Sequence, residues 1–491
     1  MHVCDGWFSD DKKILKLWLG PLHNHPMGLA DQMADFFEFE AHDTDLSTEV
    51  VAGLTTFLTM SYIIVVNPAI LAPALMTDPA IAEAYTIAQV QQMLAVVTIL
   101  ASVAGILVMA LYANRPFGLA PGMGLNVFFA FTVVIGLGIP WQTALAAVFV
   151  EGIVFIVLTA VGARRYIIEL FPEPVKFAVG AGIGIFLLFL GLQQMQVVAP
   201  APDGTFVTLG EIANNPVASL AVVGLFFTFV LYARDVTGAI ILGILSTAAA
   251  GWALTFAGFY DRGVLTPETL TGAQYDITPL AGAFVEGLRD IDPATFTFVV
   301  FTFFFVDFFD TAGTLIGVSQ IAGFLDEDGN LPDIDKPLMA DAVGTTVGAM
   351  LGTSTVTTYI ESSTGVEEGG RTGMTALVVG LAFLAALAVV PLVAAIPQYA
   401  SYIALVVVGI IMLQGVTDID WQDPAWSIAG GLTIVVMPLT TSIADGIAAG
   451  IVSYPIIKAA VGEPGDVKPG QWLLAAVFVV YYYVQTSGMI V

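Results

Sequence analysis

Long uncharged stretches recur along most of this chain. Three of them, 89–112, 177–198 and 374–396, each run for more than 20 residues without a single Asp, Glu, Lys or Arg. A helix of about 20 apolar residues crosses about 30 Å of hydrocarbon. The pattern therefore predicts an all-α polytopic membrane protein.

Breaks in this hydropathy pattern, mostly at Gly, Pro and charged residues, divide the chain into two sets of seven predicted spans. The first set is 51–75, 89–112, 120–136, 141–161, 174–196, 217–233 and 237–259. After a polar connection at about 260–293, the second set is 294–320, 337–351, 354–366, 374–396, 399–416, 424–439 and 441–459. A last apolar stretch, 470–488, is either an additional span or an interfacial helix, because its tyrosines at 481–483 suit the headgroup level.

The two sets also resemble each other in sequence. For example, NPVASLAVVGL at 215–225 is echoed by DPAWSIAGGLT at 423–433, and two further echoes keep the same order, which indicates an internal duplication. With the N-terminus inside, twelve of the 14 Lys and Arg residues fall on the cytoplasmic side, as the positive-inside rule requires. Because seven spans end on the face opposite to their start, the halves are expected to be inverted repeats, which are common in secondary transporters.

The composition agrees with a membrane protein and also indicates the environment in which the protein works. The chain is 57% hydrophobic and 11% charged, whereas soluble proteins are about 25% charged. Its net charge is −27, and acidic residues crowd the N-terminal segment and several loops. An acidic solvated surface suits concentrated salt, so we expect a halophilic source.

The rarer residue types exclude several functions. All four histidines precede the first span, which excludes haem ligation or a histidine proton relay inside the membrane. Cys4 is alone, so no intramolecular disulfide forms, and its spacing to His23 and His25 matches no common metal site. With no nucleophile–base pair and no phosphate-binding loop, we expect no enzyme activity, no cofactor and no nucleic-acid partner. Residues 1–32 carry no cleavable signal and are expected to have no role in transport.

The third span of each half is short and irregular. In the first half it reads FGLAPGMGLNVFFAF (117–131), with too many Gly and Pro residues for a regular helix. In the second half it reads GTSTVTTYIESSTGVEEGG (352–370), where β-branched residues favour extended backbone. We expect each segment to begin extended, to line a cavity and then to turn into a half-helix whose N-terminus offers donors. Asn126 and Glu361 follow the extended parts; the alternatives are a helix N-cap for Asn126 and a helix-dipole partner for Glu361.

Two aspartates interrupt the very apolar stretch FFFVDFFDTAGTLIG at 303–317. Asp307 and Asp310 are three residues apart and so share one face of a helix. An ionised, unpaired carboxylate in a membrane costs several kcal/mol, and it persists where it faces the protein interior and has a function. These acids can accept hydrogen bonds from a ligand or carry a coupling proton. The alternative is a pair of buried acids satisfied by Ser, Thr and backbone donors.

Five stretches also carry a family resemblance. They are GLTTFLTMSYIIVVNPAIL (53–71), PGMGLNVFFAF (121–131), FVDFFDTAGTLIGV (305–318), ADAVGTTVGAMLGTSTVTTYIESSTGVEEGGRTG (340–373) and SIADGIAAGIVSY (442–454). These motifs resemble the nucleobase:cation symporter-2 superfamily, and within it the AzgA-like branch of adenine, guanine and hypoxanthine permeases. The resemblance covers residues 48–460. It implies about fourteen spans in two inverted sevens with short strands in the discontinuous spans 3 and 10, a core domain moving against a gate domain in elevator fashion, and often a homodimer.

The resemblance divides the chain into five segments. They are an acidic cytoplasmic N-terminal segment (1–47), a first core segment with spans 1–4 (48–165), a first gate segment with spans 5–7 and the connection (166–293), a second core segment with spans 8–11 (294–397), and a second gate segment with spans 12–14 and the C-terminal helix (398–491). We expect a multi-pass protein of the plasma membrane with a cytoplasmic N-terminus.

The functional positions that the resemblance implies are Asp307, Asp310, Gly124, Asn126 and Glu361. We expect proton-coupled uptake of a purine base. Asp310 is assigned to the proton or to holding the core, and Asn126, together with Gly124, to linking span 3 to the site.

The base itself is expected to contact the second half of the chain. Asp307 and Glu361 are expected to accept hydrogen bonds from its N–H groups. Backbone N–H groups from Thr358 to Ser362 are expected to donate to ring nitrogens or to a carbonyl oxygen, and an aromatic side chain such as Phe308 to cover the ring face.

Related functions stay open on the sequence alone. They are a uracil or xanthine permease, a Na⁺-coupled nucleobase carrier and an anion carrier of the same fold. Several carboxylates and no intramembrane Lys or Arg argue against the anion carrier, and the paired short segments argue against a channel.

Overall fold

The computed structural model describes residues 28–162, 171–201, 207–268, 270–289, 291–326 and 331–486. Some sequence predictions lie outside these ranges: those on Cys4, His23 and His25, and the cytoplasmic placement of Arg164 and Arg165.

Helices make up most of the described residues. In the first half they are α1 (Leu29–Phe36), α2 (Leu46–Met60), α3 (Ile63–Leu75), α4 (Pro79–Ala84), α5 (Ile87–Val108), α6 (Met123–Val127), α7 (Trp141–Ala160), α8 (Glu173–Gln194), α9 (Pro216–Tyr232) and α10 (Ala239–Phe256). In the rest of the chain they are α11 (Phe284–Gly287), α12 (Pro293–Ala322), α13 (Asp335–Leu351), α14 (Ser362–Glu367), α15 (Gly373–Ala386), α16 (Val390–Val393), α17 (Gln398–Ser401), α18 (Ile403–Met412), α19 (Pro424–Thr440), α20 (Ile443–Ala460) and α21 (Pro469–Thr486). The longer of these helices fall where the hydropathy pattern predicts spans.

Nine stretches within the described ranges are long and apolar enough to cross a membrane. They are Leu46–Leu75, Ile87–Ala113, Trp141–Ala160, Glu173–Gln194, Ala239–Phe256, Thr295–Ala322, Gly373–Val393, Gln398–Asp418 and Ile443–Ala460. Shorter apolar helices lie at Met123–Gly136, Pro216–Tyr232, Pro424–Thr440 and Pro469–Val480. The chain is therefore a polytopic, mainly helical membrane protein.

The part of the chain that the structure describes also contains two pairs of short strands. Strand β1 (Leu119–Pro121) pairs antiparallel with β4 (Val356–Thr358), so that Ala120 lies opposite Thr357. This pair joins the two irregular segments and confirms that each begins extended. A second antiparallel pair, β2 (Val198–Pro200) with β3 (Val207–Leu209), follows α8 and was not predicted.

Within the described residues, two groups of helix contacts join the first half of the chain to the second. Helix α13 packs against α5 and α7, and α15 packs against α2 and α5. Helix α8 instead packs against α18 and α19. Glycines permit the second contact, because a Cβ atom on Gly409 of α18 would lie 2.5 Å from the carbonyl oxygen of Gly184 on α8. Small residues allow this close backbone approach between membrane helices.

The echoed motifs of the two halves begin their helices in the same way. Asn215 caps α9 with its side-chain oxygen, which accepts hydrogen bonds from two N–H groups of the first turn at 3.0 and 3.3 Å. Asp423 caps α19 likewise, at 2.6 and 3.2 Å. A proline follows each cap, where its fixed φ suits the first helical position. The echo between 215–225 and 423–433 therefore has a common local structure.

A buried carboxylate ties the start of α2 to the start of α15. Glu49 accepts hydrogen bonds from the backbone N–H groups of Arg371 (3.0 Å), Thr372 (3.3 Å) and Thr375 (3.0 Å), and from the Thr375 hydroxyl (2.6 Å). Next to it, the rings of residues 37 and 39 are buried against α15. The acidic segment that precedes α2 is therefore anchored on the helical body.

Replacing Glu49 by Gln is expected to destabilise the protein by at least about 2 kcal/mol. The glutamine amide NH₂ group would face backbone N–H donors that the Glu49 carboxylate accepts from in the wild type. Each buried donor that loses its acceptor costs about 1–3 kcal/mol. Thermal unfolding of the purified protein in detergent measures the effect. Glu40→Gln is the matched control, because Glu40 is exposed. Equal unfolding temperatures for the two variants would contradict the anchoring role of Glu49.

Candidate substrate site

A cavity of about 570 Å³ opens beside the β1–β4 pair. Its volume lies within the usual range of about 300–1,000 Å³ for small-molecule sites. One wall comes from α12, the strands and the residues just after β4; the opposite wall comes from α8 and α18. The lining residues are Tyr62, Gly122, Met123, Gly124, Lys176, Phe177, Val179, Gly180, Phe309, Asp310, Gly313, Thr314, Gly317, Thr357, Thr358, Tyr359, Ile360, Glu361, Val408, Ile411, Met412, Gln414, Gly415, Thr417 and Asp418.

A second cavity, of about 650 Å³, lies between α20 and α21. Aliphatic and aromatic side chains line most of it, and its carboxylate, Asp445, accepts a hydrogen bond from the Tyr482 hydroxyl at 2.5 Å. The first cavity brings several polar groups together and is the better candidate for a ligand site.

Glu361 lies where the sequence predicts it, at the end of the extended segment and immediately before α14. Its carboxylate lines the cavity and accepts a hydrogen bond from the Tyr62 hydroxyl at 2.6 Å. Tyr62 occupies the break between α2 and α3, so this bond connects the first span to the β4 segment. The side chain of Glu361 makes no capping hydrogen bond to α14. The carboxylate is therefore not engaged in capping α14 and can accept a hydrogen bond from a ligand.

Asp310 also lines the cavity, from α12. A Cβ atom on Gly122 would lie 3.8 Å from the Asp310 Oδ2 atom, which places this carboxylate beside the turn from β1 into α6. Asp310 and Glu361 thus contribute two carboxylates to one cavity. The lining also includes Lys176, in the first turn of α8, so a basic residue does reach the cavity, unlike the expectation from the sequence.

Asp307 is placed differently from its prediction. It is not among the described residues that line the cavity. Its carboxylate is fully buried, and Oδ1 accepts a hydrogen bond from the Thr311 hydroxyl at 3.2 Å. The Thr311 hydroxyl lies 2.7 Å from that of Thr357, which does line the cavity. Strand β4 therefore lies between Asp307 and the cavity, so direct contact of this acid with a base does not fit the geometry.

Phe308 and Ser362 are two more predicted contacts that the structure places away from the cavity. The ring of Phe308 is buried among other phenylalanines, with its centroid 6.2 Å from that of Phe155. Phe309 lines the cavity instead, because successive residues of a helix point in directions about 100° apart. The Ser362 hydroxyl accepts a hydrogen bond from the Gly118 N–H at 2.9 Å and so holds the two irregular segments together.

The backbone donors predicted from Thr358 to Ser362 are mostly engaged within the protein. The N–H of Thr358 donates to Asp341 at 3.2 Å, and that of Tyr359 donates to the Gly118 carbonyl at 3.0 Å. The hydroxyl of Thr358 also donates to Asp341, at 2.8 Å. Among the described hydrogen bonds of this segment, the N–H groups of Ile360 and Glu361 have no backbone acceptor, and both residues line the cavity.

Gly124 and Asn126 lie on α6. Gly124 lines the cavity and packs against Ile183 of α8, because a Cβ atom there would lie 2.6 Å from the Ile183 Cγ2 atom. Asn126 is buried; it donates to the Pro121 carbonyl at 3.3 Å and accepts from the Ser354 hydroxyl. Gly122 occupies the N-cap position of α6, so the alternative role of Asn126 as a helix cap is wrong.

Several residues of this region were missed in the sequence. Glu151 and Asp341 are fully buried acids in the predicted spans 141–161 and 337–351. The rule that singled out Asp307, an acid within an apolar span, applies to both and would have found them. Tyr62 and Tyr359 carry no comparable local signal, since tyrosine is common in membrane helices near interfaces.

The helices and the carboxylate-lined cavity between them define a polytopic membrane protein with a small-molecule site in its interior. Residues 47–449 match the model of the Permease family. The chain belongs to this family, the nucleobase:cation symporter-2 family, so the resemblance carried by the five motifs is confirmed. Its members are permeases, which makes this protein a membrane transporter and not an enzyme.

Several curated relatives have named substrates, and two of them show the range. The adenine permease AdeP of Escherichia coli is 37% identical over 459 residues, covering 93% of this chain and 98% of the relative. The guanine/hypoxanthine permease PbuG of Bacillus subtilis is 41% identical over 450 residues, covering 92% and 99%. Both relatives are named as purine nucleobase permeases, which supports nucleobase transport by this chain.

A solved structure shows a similar fold. It is the transmembrane domain of the cyanobacterial bicarbonate transporter BicA, with a TM-score of 0.55 and 16% sequence identity over 82% of this chain and 97% of that one. At this identity the similarity concerns the fold alone.

Proposed function

We propose that this protein imports purine nucleobases (adenine, guanine or hypoxanthine) by proton symport. The observation that carries the proposal is the pair of carboxylates, Asp310 and Glu361, on one cavity whose volume suits a small planar ligand. A purine presents several N–H donors along its edge, and a carboxylate accepts them through charge-assisted hydrogen bonds. The named substrates of the two relatives support a purine rather than another ring.

In this proposal Glu361 and Asp310 accept hydrogen bonds from the N–H groups of the base. The backbone N–H groups of Ile360 and Glu361 donate to its ring nitrogens or carbonyl oxygen. The rings of Phe309 and Tyr359 line the cavity and offer an aromatic surface to the face of the base. Tyr62 orients Glu361 through its 2.6 Å hydrogen bond.

We also propose an elevator mechanism between the core (48–165 and 294–397) and the gate (166–293 and 398–491). The cavity supports this division, since Asp310 and Glu361 come from the core ranges and the opposite wall from the gate ranges. Helix packing also supports this division. Helices of the two core ranges pack against each other, and so do helices of the two gate ranges. We further propose fourteen spans in two inverted repeats, a cytoplasmic N-terminus, a homodimer and a halophilic source.

Uptake of radiolabelled bases tests the proposal. Cells that lack their own purine permeases and express this chain are expected to accumulate at least one of adenine, guanine and hypoxanthine. A protonophore is expected to abolish the accumulation, and replacing Na⁺ by K⁺ at constant ionic strength is expected to leave it unchanged. Labelled uracil and labelled xanthine are tested in the same cells. Accumulation of uracil with no purine uptake would reject the purine assignment, and dependence on Na⁺ would reject proton symport.

A further inference from the structure

A second pair of acids lies behind strand β4, away from the cavity. Glu151 of α7 is fully buried, and its Oε2 atom accepts a hydrogen bond from the Thr355 hydroxyl at 3.2 Å. Its Oε1 atom is also buried and has no hydrogen-bond partner. On Asp307, Oδ1 accepts from Thr311 and the buried Oδ2 atom has no partner. Each acid therefore has one satisfied oxygen and one unsatisfied oxygen.

Glu151 and Asp307 lie on two helices that pack against each other, α7 and α12, with the ring of Phe155 against those of Phe304 and Phe308. Two ionised carboxylates cannot form a hydrogen bond, because both are only acceptors, whereas a carboxylic acid donates its O–H to a carboxylate. The other ionisable side chains that act on Asp307 are also acids, Asp341 of α13 and Asp310 of the same helix. No cation is thus available to neutralise this pair among the described groups that act on it. One proton between the carboxyl groups satisfies both free oxygens.

The chain from this pair to the cavity consists of hydroxyl groups. The Thr311 hydroxyl hydrogen-bonds to both Asp307 and Thr357, and Thr357 lines the cavity. Glu151 accepts a hydrogen bond from Thr355, the residue just before β4. The strand that carries Thr357 leads directly into Glu361. A base bound at Glu361 therefore contacts the same segment that positions the acid pair, and an effect of the proton on base affinity implies an equal effect of the base on proton affinity.

We propose that Glu151 and Asp307 share the coupling proton behind strand β4, while Asp310 and Glu361 hold the base. This inference rests on the proposed proton symport and adds Glu151 as a proton-holding residue that does not touch the substrate. The pair takes up one proton on the outer side and releases it on the cytoplasmic side, and no covalent bond of the base changes. The described acids form no cluster that could hold a metal ion, which favours a proton over a divalent cation.

Reconstituted full-length protein in liposomes tests this inference with Glu151→Gln. Exchange of labelled for unlabelled purine, which needs no net proton movement, is expected to stay within about threefold of wild type. Accumulation driven by an imposed pH gradient is expected to fall at least tenfold, and binding of the base to lose its dependence on pH. Glu367→Gln is the matched control, because Glu367 is exposed at the end of α14.

The outcomes separate this inference from the proposed function. If wild type neither exchanges purines nor responds to a pH gradient, the proposed function fails. If wild type is proton-driven and Glu151→Gln is driven equally well, the sharing of the proton by Glu151 is rejected. A wild-type response to a Na⁺ gradient that Glu151→Gln loses would show that the pair binds Na⁺ instead, which also rejects the inference.

A second variant covers the case in which Glu151→Gln does not fold. Thr355→Val removes the hydroxyl that donates to Glu151 while keeping both carboxyl groups. It is expected to retain proton-driven uptake but to shift the pH of half-maximal uptake upward, because the ionised form of Glu151 loses a donor. An unchanged pH profile would contradict the proposal.

Discussion

Glu361→Gln is expected to lower purine uptake roughly 10- to 150-fold at a fixed, subsaturating base concentration. The substitution removes the charge and one acceptor oxygen, and it turns an N–H donor toward the N–H donors of the base. Hydrogen bonds to charged groups are worth about 1.5–3 kcal/mol, and about 1.4 kcal/mol corresponds to a factor of ten in affinity. Initial uptake rates, corrected for the amount of protein in the membrane, measure the loss.

Tyr62→Phe provides the matched comparison for this prediction. It removes the 2.6 Å hydrogen bond to Glu361 but leaves the carboxylate in the cavity. We expect a loss of about tenfold or less, with a raised KM for the base. Wild-type uptake by Glu361→Gln, at a normal level in the membrane, would remove Glu361 from the site. A larger loss for Tyr62→Phe than for Glu361→Gln would show that the tyrosine itself is the main contact.

Asp310→Asn is expected to weaken binding of purines about 10- to 100-fold and to change their order of preference. The amide introduced by this substitution both donates and accepts, so bases that present an acceptor at this edge lose less than bases that present a donor. Inhibition constants for adenine, guanine and hypoxanthine against one labelled base measure both effects. Asp261→Asn serves as control, because Asp261 is exposed in the connection after α10.

Asp307→Asn separates the two acids of α12. If Asp310 contacts the base and Asp307 does not, the Asp307 variant keeps its inhibition constants close to those of wild type and loses proton-driven accumulation. The reverse pattern, with weakened binding for Asp307→Asn and unchanged binding for Asp310→Asn, would restore the assignment made from the sequence. Both variants are compared at equal amounts of protein in the membrane.

Much of the architecture follows from the sequence because each signal is local. Uncharged stretches of about 20 residues predict helices that cross a membrane, and Gly, Pro and β-branched residues mark the two segments that begin extended. The structure confirms the β1–β4 pair at these segments. Glu361 was predicted from the same kind of signal, as an acid just past an extended segment, and it lines the cavity.

The choice between Asp307 and Asp310 could not be made from local signals. Residues three apart lie on one side of a helix, but they are still separated by about 60° around its axis. Strand β4, which is distant in sequence, packs against that side, so that Asp310 reaches the cavity and Asp307 accepts a hydrogen bond from Thr311 behind the strand. For the same reason the sequence pointed to Phe308 as the aromatic contact, whereas the structure places Phe309 on the cavity.

The sequence by itself determined that this protein is a helical membrane permease of the nucleobase:cation symporter-2 family, with acids inside its spans and two broken segments. Hydropathy, helix-breaking residues and motifs are properties of neighbouring residues, so they can be recognised without knowledge of the fold. Only the tertiary structure decided which acids share a cavity and which are buried behind strand β4. That partition depends on how α7, α12 and β4 pack together, and these elements come from regions of the chain that lie up to about 200 residues apart.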